Sequence, residues 1–594
     1  MVANPEVRVS ASNHSRPGPG PVPNGHHGHH GHHGDSHPPP HRRFFGLLKP
    51  ERHDIAVILA FSIINGVLLL ATPLAVDAVV NNIAFGGQEQ VYVQALLVLA
   101  FALFVFLALL AVLRGAQHVV MEIVQRRLFL RVMADLAWRL PRVESAVLQQ
   151  KTGPELVNHF FEITTVQKGS SLLLLQGINV VLSTLIGLVV LGFYHPFLLA
   201  FDLLLMLALL VVIFGMGRGA VQTSIRESYA KHAVAAWLEQ IVLFPLLFKS
   251  RGAPELALSR ADALGREYLE ARKAHYRVLL RQIAGLLGLQ AIASAALLTL
   301  GGALVLRGEL TLGQLVASEL IVGAIVSSVA KFDKQLESWY DAMASVDKLG
   351  HLADLPIERE HGETPRRRPG PAELELRKVS YGYDPDRPLF RDLDLRFRPG
   401  VHVAVVSAAG YGASTLLDLC YGLLDPQQGM VMVDGLDVRH WDLDALRREV
   451  ALVRGTEIVE GTIAENVRLG REDVTLDEVR HALEGVGLMD AVLQFPEGLD
   501  TPLKPGGRPL SSTQRSRLVL ARAVIGRPRL LLLDELLEGL DVATVLELED
   551  FLFHPDAPWT LVLVTRDPDL VRHCDEVVRL GECHLSEPRE TTDA

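Results

Sequence analysis

A glycine-containing turn between a strand and a helix supplies the first residues with chemical potential. HVAVVS, residues 402–407, reads as a buried strand, and after SAAGYGAST the chain continues as the helical stretch LLDLCYGLL. A loop in this position presents main-chain N–H groups and a helix N-terminus, which bind phosphate oxygens without needing particular side chains. Gly410 and Gly412 let the backbone wrap closely, and Ser414 takes the position whose hydroxyl holds Mg²⁺ in such loops. The segment predicts a phosphate-binding site.

This loop departs from the usual phosphate-binding pattern at two positions. Against G-x-x-x-x-G-K-[ST], Ser407 replaces the first glycine and Ala413 replaces the lysine. That lysine normally makes charge-assisted contacts to the outer phosphates, each worth about 1.5–3 kcal/mol. Taken alone the loop is a weak indication, so the downstream segments carry more of the argument.

A long downstream segment identifies the kind of domain. Residues 496–541, PEGLDTPLKPGGRPLSSTQRSRLVLARAVIGRPRLLLLDELLEGLD, resemble the signature, the Walker B strand and the following loop of ATP-binding-cassette (ABC) domains. RGELTLGQLVASELIV, residues 307–322, resembles the turn between the last two spans of ABC exporters. The resemblance covers about residues 44–586 and is strongest to bacterial peptide or protein exporters of the type I secretion kind. It implies an all-α six-helix transmembrane domain followed by an α/β P-loop nucleotide-binding domain.

The resemblance also implies roles for residues on the nucleotide side of the site. Tyr383 would stack on the adenine of ATP, and Thr415 would join the loop in holding the phosphates. Ser414 and Asp534 would hold Mg²⁺, and Glu535 would polarise the attacking water. The loop positions expected to contact nucleotide are Ser407, Gly410, Gly412, Ala413, Ser414 and Thr415.

A second set of residues is implied to act across a dimer. In the family, two nucleotide domains face each other head to tail and enclose ATP between the Walker motifs of one and the signature of the other. Ser511 and Gln514 would therefore come from the partner side, and Asp541 would link the two sites. The partner would be a second ABC half-transporter, either a copy of this chain or a different one, and a periplasmic adaptor protein is a further expected partner.

Three further motifs differ from the family pattern. The signature LSSTQ has Ser512 and Thr513 where two glycines normally let the backbone approach phosphate. Arg454 stands where the family has a glutamine, and Arg566 replaces the histidine that usually completes the hydrolytic site. Removing one such charge-stabilising group commonly lowers the rate about 10²–10³-fold. ATP and Mg²⁺ are thus expected to bind weakly, and rescue of the lost charge by Arg454 or Arg566 remains open.

The composition indicates membrane spans beside this domain. The chain has 594 residues, of which 49% are hydrophobic and only 21% charged, which is unusual for a soluble protein. A bilayer core about 30 Å thick requires about 20 apolar residues in a helix. Stretches near this length occur at residues 55–80, 91–113, 172–193, 197–216, 283–306 and 314–330.

The positions of Lys and Arg predict the orientation of the spans. Eight such residues lie between Arg114 and Lys168 and eleven between Arg218 and Arg281, whereas Arg307 is the one in the three opposite loops. By the positive-inside rule, the two long loops and both termini are cytoplasmic in a multi-pass protein of the inner (cytoplasmic) membrane. The long loops keep apolar residues at helical spacing, so they read as cytoplasmic extensions of the spans.

These observations divide the chain into five segments. Residues 1–43 form a His-, Pro- and Gly-rich tail expected to be disordered. Residues 44–354 form the transmembrane domain, 355–371 a linker, 372–586 the nucleotide-binding domain and 587–594 a short tail. Metal binding by the first tail remains open, and its candidate ligands are His26, His27, His29, His30, His32 and His33.

Two functions from different classes remain. The first is an exporter subunit that couples ATP binding and hydrolysis to export across the cytoplasmic membrane, with impaired ATPase motifs. The second is a non-hydrolysing structural or regulatory membrane subunit that acts with another protein. A nucleic-acid partner is not expected, because the net charge is −11 and acidic residues dominate the last part of the chain.

Overall fold

The structure is a computed structural model that describes residues 38–84, 89–150, 158–330, 332–384, 388–408, 410–538 and 540–581. The histidine-rich segment and the last residues of the chain lie outside these ranges. Within them, a helical part is followed by a part that alternates strands and helices.

The long apolar stretches fold as helices, as their composition predicts. The helices are α1 (Pro40–Leu48), α2 (Arg52–Leu69), α3 (Ala71–Ala84), α4 (Glu89–Arg139), α5 (Ser145–Gln150), α6 (Glu162–Ser171), α7 (Ile178–Tyr194), α8 (Pro196–Leu210), α9 (Ala220–Leu243), α10 (Ala253–Leu306), α11 (Leu312–Ala330) and α12 (Phe332–Ala353). His195 alone separates α7 from α8, so these two apolar helices meet at a tight turn.

Among the described residues, five helical stretches are long and apolar enough to cross a membrane. The sixth predicted span lies on α11, whose apolar part over Leu312–Ala324 is shorter in the described residues. Helix α4 has 51 residues and α10 has 54, so at 1.5 Å per residue each is about 80 Å long and extends well beyond a bilayer core. These two helices therefore continue from the apolar stretches into the long polar segments.

A polar contact joins two of these apolar helices. The Asn65 side chain on α2 donates to Gln117 Oε1 on α4 at 3.0 Å, and Gln117 donates to Ser62 Oγ at 2.7 Å. All three side chains are buried. Polar side chains inside a helical bundle need partners of this kind, so the contact fixes how α2 packs on α4.

A buried charged cluster ties together α6, α9 and α12. Lys348 is fully buried, and its ammonium group donates to Glu162 Oε1 at 3.2 Å and to the Ser228 carbonyl at 3.1 Å. The same carboxylate accepts from Ser345 at 2.5 Å and lies 2.6 Å from His232 Nε2. The low exposure of Glu162 and Lys348 makes each dependent on the other for neutralisation.

The second part contains two larger sheets and one small one. The strands are β1 (Leu374–Tyr381), β2 (Phe390–Phe397), β3 (His402–Ser407), β4 (Gln428–Val433), β5 (Leu436–Asp437), β6 (Val450–Arg454), β7 (Gly461–Thr462), β8 (Pro502–Leu503), β9 (Leu530–Asp534), β10 (Thr560–Val564) and β11 (Glu576–Leu580). A parallel sheet has the order β11-β3-β10-β9-β6, and an antiparallel sheet has the order β2-β1-β4-β5.

The parallel sheet is buried on both faces. Leu530 and Leu532 of β9 pack in one hydrophobic cluster, and the alternating Leu531 and Leu533 pack in another. Continuous apolar strands of this type require helices on both sides. These helices are α13 (Ala413–Tyr421), α14 (Leu443–Glu449), α15 (Ile463–Arg468), α16 (Leu476–Gly485), α17 (Met489–Val492), α18 (Ser512–Val524), α19 (Val542–Leu552) and α20 (Pro568–Arg572).

The segment predicted to be a linker is anchored on both parts. Ile357 forms a bridge with Val143, which follows α4, and the Glu358 N–H donates to the Arg142 carbonyl at 2.7 Å. On the other side, Glu358 accepts two hydrogen bonds from Arg447 at 2.7 and 2.6 Å. A bidentate pair of this kind fixes direction as well as distance, so the connection constrains how the two parts meet.

Candidate nucleotide site

The glycine-containing loop lies between β3 and α13, as the sequence predicts. Gly410 has φ +85° and Gly412 has φ +90°, both in the left-handed region that glycine tolerates. A Cβ on Gly412 would lie 2.5 Å from Leu389 Cδ2, so a larger residue would force this side chain to shift and would be strained at the positive φ. The helical hydrogen bonds begin with Leu416 N–H donating to the Gly412 carbonyl at 2.8 Å, so the N–H groups of residues 413–415 precede this ladder. The loop therefore fits phosphate oxygens.

Tyr383 lies beside this loop. Its hydroxyl is 3.1 Å from Thr415 Oγ1, and its ring packs edge-on against Tyr381 with a centroid separation of 5.4 Å. The Tyr383 side chain is 61% exposed, so one face is available to a flat ligand. The predicted adenine-stacking residue and the predicted phosphate loop are thus brought together.

Arg454 makes the most extensive contacts in the site. It ends β6, in register with Asp534 at the end of the neighbouring strand β9. Its Nε donates to Asp534 Oδ2 at 2.5 Å, its Nη1 lies 2.9 Å from Asp418 Oδ1, and its Nη2 donates to the Ser414 carbonyl at 2.9 Å. One guanidinium therefore connects the loop helix to the carboxylate predicted to hold Mg²⁺.

Asp418 is a site residue that sequence reasoning missed. It lies one turn beyond Ser414 on α13 and is buried, so burial raises the pKa of its carboxyl, while the charge of Arg454 opposes that rise. Burial also disfavours the charged form of Arg454, yet Asp418 and Asp534 hold the pKa of Arg454 above its usual value. The sequence feature that could have identified Asp418 is its acidic side chain within the otherwise apolar stretch LLDLCYGLL. An acid buried in such a helix needs a cationic partner.

A second arginine is paired with the predicted catalytic carboxylate. Arg566 Nη2 donates to Glu535 Oε1 at 3.2 Å, and the Arg566 N–H donates to Glu538 at 2.8 Å. The two paired side chains are about half exposed, at 52% and 46%. Glu535 has φ +52°, an uncommon backbone conformation for a residue with a side chain. Both acidic residues at the end of β9 are therefore paired with arginines.

The signature residues form the N-terminus of α18. Ser511 caps this helix, accepting from the Gln514 N–H at 3.2 Å, while the Gln514 side chain accepts from the Ser511 N–H at 2.9 Å. This reciprocal arrangement is a capping box. Ser511 and Ser512 line an open depression together with Lys504, Arg508 and Arg515, so the surface around the signature is basic.

Asp541 caps the N-terminus of α19. Its carboxylate accepts from the Thr544 N–H at 3.0 Å and from the Thr544 hydroxyl at 2.8 Å. These hydrogen bonds lower the pKa of Asp541. The residue predicted to link two sites has a local structural role in this chain.

The residues expected to hold Mg²⁺ do not fit that ion well. Mg²⁺ requires near-octahedral oxygen ligands at about 2.0–2.1 Å. Asp534 is only 4% exposed, and the Oδ2 atom of its carboxylate is occupied by a hydrogen bond from Arg454. The same guanidinium also binds the Ser414 carbonyl, next to the hydroxyl expected to complete the ligand set.

Known proteins give independent information on this domain. Residues 390–538 match the family described as ABC transporter. The Multidrug efflux ATP-binding/permease protein of Mycobacterium bovis is 31% identical over 313 residues, which are 52% of this chain and 26% of that protein. The Alpha-hemolysin translocation ATP-binding protein HlyB of Escherichia coli is 30% identical over 273 residues, which are 45% of this chain and 38% of that protein. The chain thus covers less than half the length of these two relatives.

A solved structure shares the fold of nearly the whole chain. It is described as a bacterial Atm1-family ABC exporter with ATP bound. The match has a TM-score of 0.80 at 20% identity and covers 90% of this chain and 94% of that one. The arrangement of the helical part and the nucleotide-binding fold is therefore that of an ABC exporter.

Proposed function

We propose that this chain, which carries an ABC transporter domain and is homologous to ABC exporters, is one subunit of a dimeric membrane exporter with weakened ATPase chemistry. It lies in the inner (cytoplasmic) membrane with both termini and the long helical extensions in the cytoplasm. The observation that carries the proposal is the glycine-containing loop between β3 and α13 in a chain whose α4 and α10 are long enough to pass through a bilayer.

An exposed apolar turn supports the dimer. The end of α9 and the residues after it form the turn of the second cytoplasmic extension, and its apolar side chains are more than half exposed. They are Val242, Leu243, Phe244, Leu246 and Leu247. Apolar side chains clustered at a cytoplasmic tip indicate an interaction surface, and a second half-transporter is the partner that the fold provides.

The residues of the loop would hold ATP mainly through the backbone. Residues 413–415 would direct their N–H groups at the phosphates, Tyr383 would stack on the base, and Ser511 and Gln514 of α18 would lie on the face presented to the other subunit. ATP would supply the free energy that switches the spans between two openings. Binding through main-chain groups explains how the site could keep nucleotide without the lysine that Ala413 replaces.

A second candidate function is a non-hydrolysing subunit, and one observation favours it. Glu535 is paired with Arg566, so its carboxylate is engaged by a cation where a catalytic base must accept or orient a water proton. This chain would then bind nucleotide and transmit its presence without turnover.

The decisive experiment is ATP binding and hydrolysis by the purified full-length chain, with Glu535→Gln as the control. The exporter proposal expects slow ATPase activity that falls in the variant. Equal activity in the two proteins would show that Glu535 is not the catalytic carboxylate. Nucleotide-dependent stabilisation without any turnover would favour the second candidate, and absence of nucleotide binding would refute both.

The cargo and the further partners are proposed from the similarity of this chain to known proteins. One similar protein is named for translocation of alpha-hemolysin, a protein. We propose a peptide or protein cargo and a periplasmic adaptor protein as a partner. Reconstitution of transport with candidate cargo from the same genome neighbourhood would test this, and transport of small molecules alone would contradict it.

A further inference from the structure

The contacts of Arg454 determine the charge around the carboxylate predicted to hold Mg²⁺. Its guanidinium lies between the end of β9 and the start of α13, where it is hydrogen-bonded to Asp534 and the Ser414 carbonyl and ion-paired with Asp418. The side chains of Asp534 and Asp418 are 4% and 5% exposed. Two buried carboxylates in one place require a cation, and in this chain the cation is a side chain.

The guanidinium keeps capacity for a ligand. An arginine carries five N–H donors. Two of them make the hydrogen bonds to Asp534 and the Ser414 carbonyl, and Nη1 lies in an ion pair with Asp418. At least two N–H groups are thus left without a hydrogen-bond partner among the described residues, and the side chain is 39% exposed. Because Arg454 touches the Ser414 carbonyl, these donors lie next to the loop predicted to receive phosphate. Guanidinium groups are well suited to phosphate oxygens.

We propose that the Arg454 guanidinium serves as a built-in cation of this site and that the loop binds a nucleoside triphosphate without a divalent metal ion. The inference rests on the proposed function, since it assumes that the loop binds nucleotide. A metal ion at Asp534 Oδ2 would have to displace the guanidinium, and a metal ion at the other oxygen of this carboxylate would lie beside the positive charge of Arg454. With alanine at position 413, Arg454 is the cationic side chain that contacts the start of the loop helix among the described residues.

The test is titration of ATP into the full-length protein in detergent or nanodiscs by isothermal titration calorimetry, once with excess Mg²⁺ and once with excess EDTA. We expect the two Kd values to agree within about fivefold, or about 1 kcal/mol. A Kd in EDTA that is weaker by more than this would overturn the inference. Binding that is detected with Mg²⁺ but not with EDTA would overturn this inference and leave the proposed function intact. Absence of binding in both conditions would refute the proposed nucleotide site itself.

Variants locate the effect at the guanidinium. Arg454→Gln removes the charge, and the double variant with Asp418→Asn added avoids leaving two buried acids with no cation. We expect the double variant to bind ATP in Mg²⁺ and to lose at least about tenfold in affinity in EDTA. Arg572→Gln, which removes an arginine that is 77% exposed, is the matched control and should bind alike in both conditions. If the double variant shows no greater metal dependence than this control, Arg454 is not the cation. If the variants do not fold, the comparison of the two Kd values of the unaltered chain still tests the proposal.

Discussion

Placing a lysine at residue 413 is the sharpest test of the proposal that the loop between β3 and α13 binds phosphate. Ala413 is the first residue of α13 and is 7% exposed, directly after the left-handed Gly412. A lysine there would begin at the same backbone position as the lysine in intact loops of this pattern. Arg454 lies nearby but is paired with Asp418 and Asp534, so the cluster has no excess positive charge to repel an ammonium group.

The expected gain follows from one added charge-assisted contact. A hydrogen bond to a charged group contributes about 1.5–3 kcal/mol, and each 1.4 kcal/mol is a tenfold change in Kd. The Ala413→Lys variant should therefore bind ATP about 10-fold to about 100-fold more tightly than the unaltered chain. The low exposure of Ala413 means that the longer side chain meets neighbours, which would move the result toward the lower value.

The assay is calorimetric titration of ATP into both proteins in excess EDTA, which separates the lysine contribution from that of any metal ion. Ala413→Met is the matched control, because methionine has similar length and no charge and reports the steric cost alone. An affinity of Ala413→Lys no better than that of Ala413→Met would refute the reasoning, since it would mean that no phosphate lies within reach of this position.

Three other expectations concern stability and turnover. Lys348→Met should lower the free energy of unfolding by about 3–5 kcal/mol, because it leaves the Glu162 carboxylate buried without its ammonium partner. Adding Glu162→Gln should recover most of that loss, as measured by thermal unfolding followed by tryptophan fluorescence. Arg566→Gln should change the free energy of unfolding by no more than about 1 kcal/mol, since its pair with Glu535 is half exposed. Any ATPase activity should rise in this variant, because the Glu535 carboxylate is released. Unchanged or lower activity would show that the pair does not restrain turnover. Ser511→Ala should cost about 1 kcal/mol through loss of the α18 cap, whereas Ser511→Thr should keep most of it, and equal stabilities in chemical unfolding would contradict the capping role.

Several features of the fold were predictable because each depends on residues close together in the chain. The apolar stretches gave helices, and His195 gave the tight turn between α7 and α8. The strand, loop and helix over residues 402–421 follow from a β-rich apolar run, two glycines and a helical run. Hydrophobic period and glycine placement carry this information locally.

The sequence by itself determined that a membrane-length helical part precedes an α/β domain, and its resemblance to a known family predicted unusual residues at Ala413, Arg454 and Arg566. Only the tertiary structure decided what these residues do. Arg454 reaches Asp534 because β6 and β9 are neighbours in a parallel sheet, and it reaches Asp418 because α13 packs against the ends of those strands. Such pairings join residues 36 to 80 positions apart, and no local pattern encodes which buried acid a distant guanidinium neutralises.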